Sequence, residues 1–131
     1  MDQGCFSDGL FRGERVMADK ENSDRQRLLE QELERFLRLL ARVPDLDRVM
    51  VFGSMAGGEI HPWSDLDLVI VQRTNMPFLR RIRETRRLLR PRVATDIFVY
   101  TPQEFEQLCR ERLFFREEVL GRGKVVYERI H

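Results

Sequence analysis

The chain has 131 residues, 42% of them hydrophobic and 34% charged, with 23 basic against 22 acidic side chains. That length fits one domain with a small core, and the near-zero net charge argues against nucleic acid as the main partner, since such domains are usually strongly basic. No apolar run approaches the ~20 residues of a membrane span.

Residues 1–22 mix Gly, Asp, Ser and charge without periodicity and are expected to form a flexible tail, leaving 23–131 as the folded domain. Nothing in residues 1–20 resembles a secretory signal, and Cys5 and Cys109 sit in unrelated contexts, so a reducing, cytoplasmic setting is expected. Ser23 with Gln26 reads as a capping box opening a helix to about Val43. Its stripe is Leu29, Leu33, Phe36, Leu37 and Leu40, and Pro44 with Asp45 ends it. A first strand is expected at 48–52 and a second at 65–71, followed by a helix at 78–89 stopped before Pro91. A third strand follows at 93–100. Thr101-Pro102-Gln103-Glu104 then opens a helix with an N-cap, proline at the first helical position and glutamate at the third. That helix runs to about Leu120 with a break near Glu111, Gly121 caps it, and a short strand near 124–128 closes the chain. This order implies an α/β fold of α+β character, a small mixed sheet with helices packed against it.

The chemistry concentrates between the first two strands. Gly53-Ser54 follows the apolar run Val49 to Phe52, and Asp65-Leu66-Asp67 opens the next apolar run. Alternation along a strand puts Asp65 and Asp67 on one face, roughly 6.5 Å apart along the backbone. That spacing suits two divalent cations about 3.5–4 Å apart, as in two-metal phosphoryl transfer. A small-residue turn leaves backbone N–H groups free to meet a phosphate. Asp96 sits inside the apolar run of the third strand, where an unpaired carboxylate is costly. If that strand lies beside the second, Asp96 joins Asp65 and Asp67. Asp45-Leu46-Asp47 has the same Asp-x-Asp form but is expected in a loop.

Other residues carry blander readings. The arginines from Arg80 to Arg92 are expected on a solvated helix face, with Leu79, Ile82 and Leu89 turned inward. His61 reads as a loop histidine, Trp63 as packing over the loop, and Cys109 as a core-facing helix residue.

Gly53-Ser54, Asp65-Leu66-Asp67 with Ser64 before it, Asp96, and the closing segment from Gly121 to Tyr127 together resemble the DNA polymerase β nucleotidyltransferase superfamily, in its minimal single-domain branch. The resemblance spans about residues 25–130. It implies that fold and the transfer of AMP or another nucleoside monophosphate from a triphosphate such as ATP to an acceptor hydroxyl. It implies two Mg²⁺ ions on Asp65 and Asp67, with Asp96 on the ion beside the acceptor. Gly53, Ser54 and Ser64 would serve the nucleotide: Gly53 by close backbone approach and Ser54 by bonding the triphosphate. Many members of this branch are antitoxins of HEPN-domain toxins, and some silence the toxin by AMPylating a tyrosine. The chain is therefore expected to be a protein adenylyltransferase with a separate HEPN-type partner. Its small size leaves the acceptor site to a partner or a second copy in a homo-oligomer. One departure stands out: the family often reads Gly-Ser-Arg-Ala-Arg-Gly, and Met55 and Gly57 fill the arginine positions here. The alternatives are a masking antitoxin without catalysis and a small-molecule nucleotidyltransferase working as an oligomer.

Overall fold

A computed structural model describes residues 20–57 and 59–129. Helix α1 (Asp2–Leu40) leads into strand β1 (Leu46–Phe52), a one-turn 3-10 segment (Gly53–Ala56) and β2 (Leu66–Gln72). Helix α2 (Phe78–Leu89), β3 (Thr95–Tyr100), α3 (Pro102–Glu111), a π-helical turn (Phe115–Gly121) and β4 (Lys124–Glu128) complete the chain. The four strands lie in the order β3-β2-β1-β4. β1 pairs antiparallel with β2 and β4, and β2 pairs parallel with β3. A mixed sheet with helices on it is the architecture expected above.

Helices α1 and α2 cover one face of the sheet. Leu29, Phe36 and Leu40 of α1 and Leu89 of α2 meet Val49, Val51, Leu68, Ile70, Ile97 and Val99. Leu33 and Leu37 pack at its edge, so the expected stripe of α1 is the buried one. The other face is smaller. There Met50, Val69 and Val71 pack against Phe105 of α3 and Val119 of the π turn. Burying each large apolar side chain contributes about 1.5–3 kcal/mol, so the first face supplies most of the hydrophobic stabilisation.

Several local signals act as read. Thr101 Oγ1 accepts the Glu104 N–H at 3.2 Å and Glu104 Oε1 accepts the Thr101 N–H at 2.9 Å, a complete capping box. The break near Glu111 is real: α3 ends there, and the chain resumes as a π turn. Pro91 forces the end of α2, and Arg90 takes the left-handed conformation (φ 45°) with its N–H on Arg86 O at 2.8 Å.

Other expectations are corrected. Ser23 does not cap α1, because the backbone is already helical from Lys20; Gln26 donates instead to Glu30 along the helix at 3.0 Å. Of the expected tail, residues 1–19, with Cys5, lie outside the described residues. β1 begins at Leu46, so Leu46 and Asp47 are strand residues: Leu46 is fully buried, and that burial recruits the segment into the sheet. On α2 the inward row is Arg81, Thr85 and Leu89, at i, i+4 and i+8, and Leu79 is 77% exposed. Arg81 can be buried because each of its guanidinium nitrogens has a partner, with Nη2 on Glu104 Oε2 at 3.4 Å. Its Nε donates to Met76 O at 2.8 Å, and its Nη1 to Val99 O at 3.3 Å and to Glu104 at 2.6 Å. Among the described residues, no helix is long and apolar enough to cross a membrane.

Candidate active site

The parallel pairing of β2 with β3 decides the geometry of the site. It sets Asp67 directly opposite Asp96. Asp67 shares its face with Val69 and Val71, and Asp96 with Phe98 and Tyr100, so both carboxylates rise on the face that α3 and the π turn cover further along. Asp65, one residue before β2, points to the same side by alternation. Asp65 and Asp96 are exposed and Asp67 is half-buried. Among the described residues none of the three forms a salt bridge.

Burial and crowding together disfavour the charged form of Asp67. Burial, a hydrogen bond with Asp96 and repulsion from Asp96 and Asp65 push its carboxyl up from 3.8 to about 6. The donor set, three hard carboxylate groups, suits Mg²⁺, and a cation between Asp67 and Asp96 would relieve that repulsion. Among the described residues, however, no three His, Cys, Asp or Glu side chains are gathered closely enough to hold a metal ion as they stand. The Asp67–Asp96 pair is in place; the trio is not closed.

The Gly-Ser turn is fitted to this pair. β1 ends with Phe52 opposite Asp67, so Gly53 follows beside the carboxylate. Gly53 has φ 70°, and a Cβ there would lie 2.5 Å from Asp67 Oδ2. Glycine is required twice over, by the backbone angle and by the room. Gly57 also has a positive φ, 105°, but open space around it. Ser54 lies within the 3-10 turn and is partly buried. Ser64 is buried, and its hydroxyl accepts the His61 N–H at 2.7 Å while its carbonyl accepts Arg25 Nε at 2.9 Å. Its hydroxyl is thus already engaged in fastening the loop that delivers Asp65.

A cavity of about 520 Å³ opens at the turn, lined by Gly53, Ala56, Gly57, Glu118 and Arg122. Sequence reasoning missed the last two, because they come from the far end of the chain. Trp63 lies over the loop, as expected. It is 73% exposed and stacks on His61, ring centres 5.0 Å apart and planes within 5°. Cys109 is half-buried beside Phe105 in the smaller core, and burial pushes its thiol up, away from nucleophilic use.

The family model described as Polymerase beta, Nucleotidyltransferase matches residues 34–131. The chain belongs to this nucleotidyltransferase family. The matched span includes the whole sheet and all three carboxylates. A candidate nucleotidyltransferase from Sulfolobus solfataricus is similar in structure, with a TM-score of 0.62 at 19% identity over 83% of this chain and 88% of that one. A toxin–antitoxin structure with AMP-PNP aligns at a TM-score of 0.49 and 19% identity, over 73% of each chain. A mutant of the toxin–antitoxin MntA-HpeT aligns at 0.48 and 18% identity, over 71% of this chain and 70% of that one. No curated protein sequence is significantly similar to the chain.

Proposed function

We propose that this nucleotidyltransferase moves a nucleoside monophosphate, AMP in the first instance, from a triphosphate to a hydroxyl of a separate protein. The observation that carries the reading is the facing of Asp67 and Asp96 on adjacent parallel strands with no basic partner among the described residues. Uncompensated acid groups so placed are costly unless a cation completes them. Asp65 and Asp67 would hold two Mg²⁺ ions, and Asp96 would share the one on the acceptor side. Bound Mg²⁺ supplies neutralisation of the triphosphate and a lowered pKa for the acceptor hydroxyl. The acceptor oxygen attacks the α-phosphorus, the bond to the β-phosphate oxygen breaks, and pyrophosphate leaves. Asp96, exposed at the rim, orients the hydroxyl and takes its proton as the bond to phosphorus forms. Gly53 keeps the turn close to Asp67, and Ser54 bonds the phosphates.

The acceptor is a tyrosine of a HEPN-type toxin, which makes the chain an antitoxin. The openness of the site supports a protein acceptor: Asp65 and Asp96 are exposed, and Phe98, Leu113 and Phe114 leave apolar surface uncovered beyond them. The second reading is a masking antitoxin without catalysis. Neutral Met55 and Gly57 in the turn and the unclosed carboxylate trio favour it.

Intact-mass spectrometry separates the two. The chain is incubated with Mg²⁺, each of the four triphosphates and the protein that co-purifies with it, against an Asp65→Asn/Asp67→Asn control. Nucleotide-sized mass additions on the partner, absent with the control, are expected. A tight complex with no mass change for any triphosphate leaves the masking module.

A further inference from the structure

We propose that Arg122 is the side chain that grips the triphosphate, an assignment that rests on the nucleotidyltransferase reading above. The strand register brings it there. β4 runs antiparallel to β1 with Lys124 opposite Val51, so the residues just before Lys124 return to the end of β1 where Gly53 begins the turn. The backbone is pinned at that point: the Arg122 N–H donates to Glu117 O and the Gly123 N–H to Val119 O, each at 3.0 Å. Gly123 permits the tight passage, since a Cβ there would collide with the Val119 carbonyl and lie 3.2 Å from Val51 O.

The resulting cavity has the Gly53–Gly57 turn as one wall and the end of the π turn as the other. Among the described residues lining it, Arg122 is the cation. A triphosphate brings about four negative charges to a place that already holds Asp65, Asp67 and Asp96, so a fixed cation on the phosphate side is needed beside any metal. An arginine fork suits phosphate oxygens in a way a point charge does not.

Arg122 is now held by Glu118, Nη1 to Oε1 at 3.1 Å, with the two side chains 75% and 40% exposed. A pair so open to water is weak, and a phosphate competes with it. Glu118 therefore acts as the resting partner that the nucleotide displaces. Its carboxylate also repels the phosphates, so removing its charge tightens nucleotide binding.

The test uses Mg²⁺ with inorganic tripolyphosphate, a probe that carries the phosphates and no base, titrated calorimetrically into the full chain. Arg122→Ala is expected to weaken binding about 10- to 100-fold, the range for losing a charge-assisted hydrogen bond. Arg122→Lys should recover part of the loss, and Glu118→Gln should bind several-fold tighter than wild type. Opposite signs for the two partners distinguish phosphate contact from a structural role of the ion pair, whose loss would move both variants alike. Unchanged binding by Arg122→Ala, with wild type binding normally, overturns the assignment of Arg122 alone. If the wild-type chain binds neither tripolyphosphate nor any nucleoside triphosphate with Mg²⁺, the nucleotidyltransferase reading falls, and this inference with it.

Discussion

Replacing Asp67 with asparagine should make the metal-free protein more stable at neutral pH. Burial, a hydrogen bond with Asp96 and repulsion from Asp96 and Asp65 disfavour the charged form of Asp67, and its carboxyl stands at about 6 against an ordinary 3.8. The folded protein keeps this proton to higher pH than the unfolded chain does. Stability is therefore greatest at low pH from this group and declines as pH rises from about 4 through about 6. At 1.36 kcal/mol per pH unit the full difference is about 3 kcal/mol. Asp67 is only half-buried, so solvent screening reduces this to about 1–2 kcal/mol. Asparagine keeps the shape and a hydrogen bond to Asp96 while removing the charge. Urea unfolding in EDTA at pH 4.5, 6 and 7.5 measures the effect. Wild type and Asp67→Asn should converge at the acid end, and the variant should lead by about 1–2 kcal/mol at pH 7.5. That lead is about 5 °C in melting temperature for a domain of this size. Adding Mg²⁺ should raise the wild type and not the variant, so their order closes or reverses. A variant no more stable than wild type at pH 7.5 in EDTA, with the same pH slope, would refute the claim that burial and the neighbouring carboxylates disfavour the charged form of Asp67.

Two further substitutions probe the parts around that centre. Gly53→Ala and Gly57→Ala both put alanine at positive φ, which costs about 1–2 kcal/mol each, but only the first drives a methyl group against Asp67 Oδ2. Thermal melts should show Gly53→Ala at least as destabilised as Gly57→Ala, and stabilisation by Mg²⁺ should be lost in Gly53→Ala alone; equal Mg²⁺ responses would show that the turn does not position Asp67. Arg81→Ala removes the buried partner of its pair with Glu104 and opens a gap between α2, β3 and α3, and should cost about 3 kcal/mol in urea unfolding. Glu104→Gln, whose site is 42% exposed, should cost about 1 kcal/mol, and equal losses would mean that the burial of Arg81 carries no special cost.

Much of the fold was legible because the responsible forces are local. The capping box at Thr101 and Glu104, the stop at Pro91 and the apolar stripe of α1 act within one or two turns of chain, and each appears where the residues demand it. Ser23 shows the limit: a cap motif is real only if the preceding backbone is not helical, and here it is. Asp47 and Arg81 fail differently. Strand membership at Asp47 is set by burial of its neighbour Leu46, and the inward face of α2 by Glu104 of another helix. Neither cause lies in the local pattern.

Family and candidate carboxylates were therefore determined by the sequence itself, since Gly53-Ser54 and Asp65-Leu66-Asp67 sit a short, fixed distance apart on one turn and one strand. Only the tertiary structure decided that Asp96 faces Asp67, that Gly53 lies against its carboxylate, and that Arg122 reaches the same turn. Those juxtapositions join residues far apart in the chain through strand pairing and register, and register is a property of the assembled sheet that no single segment carries.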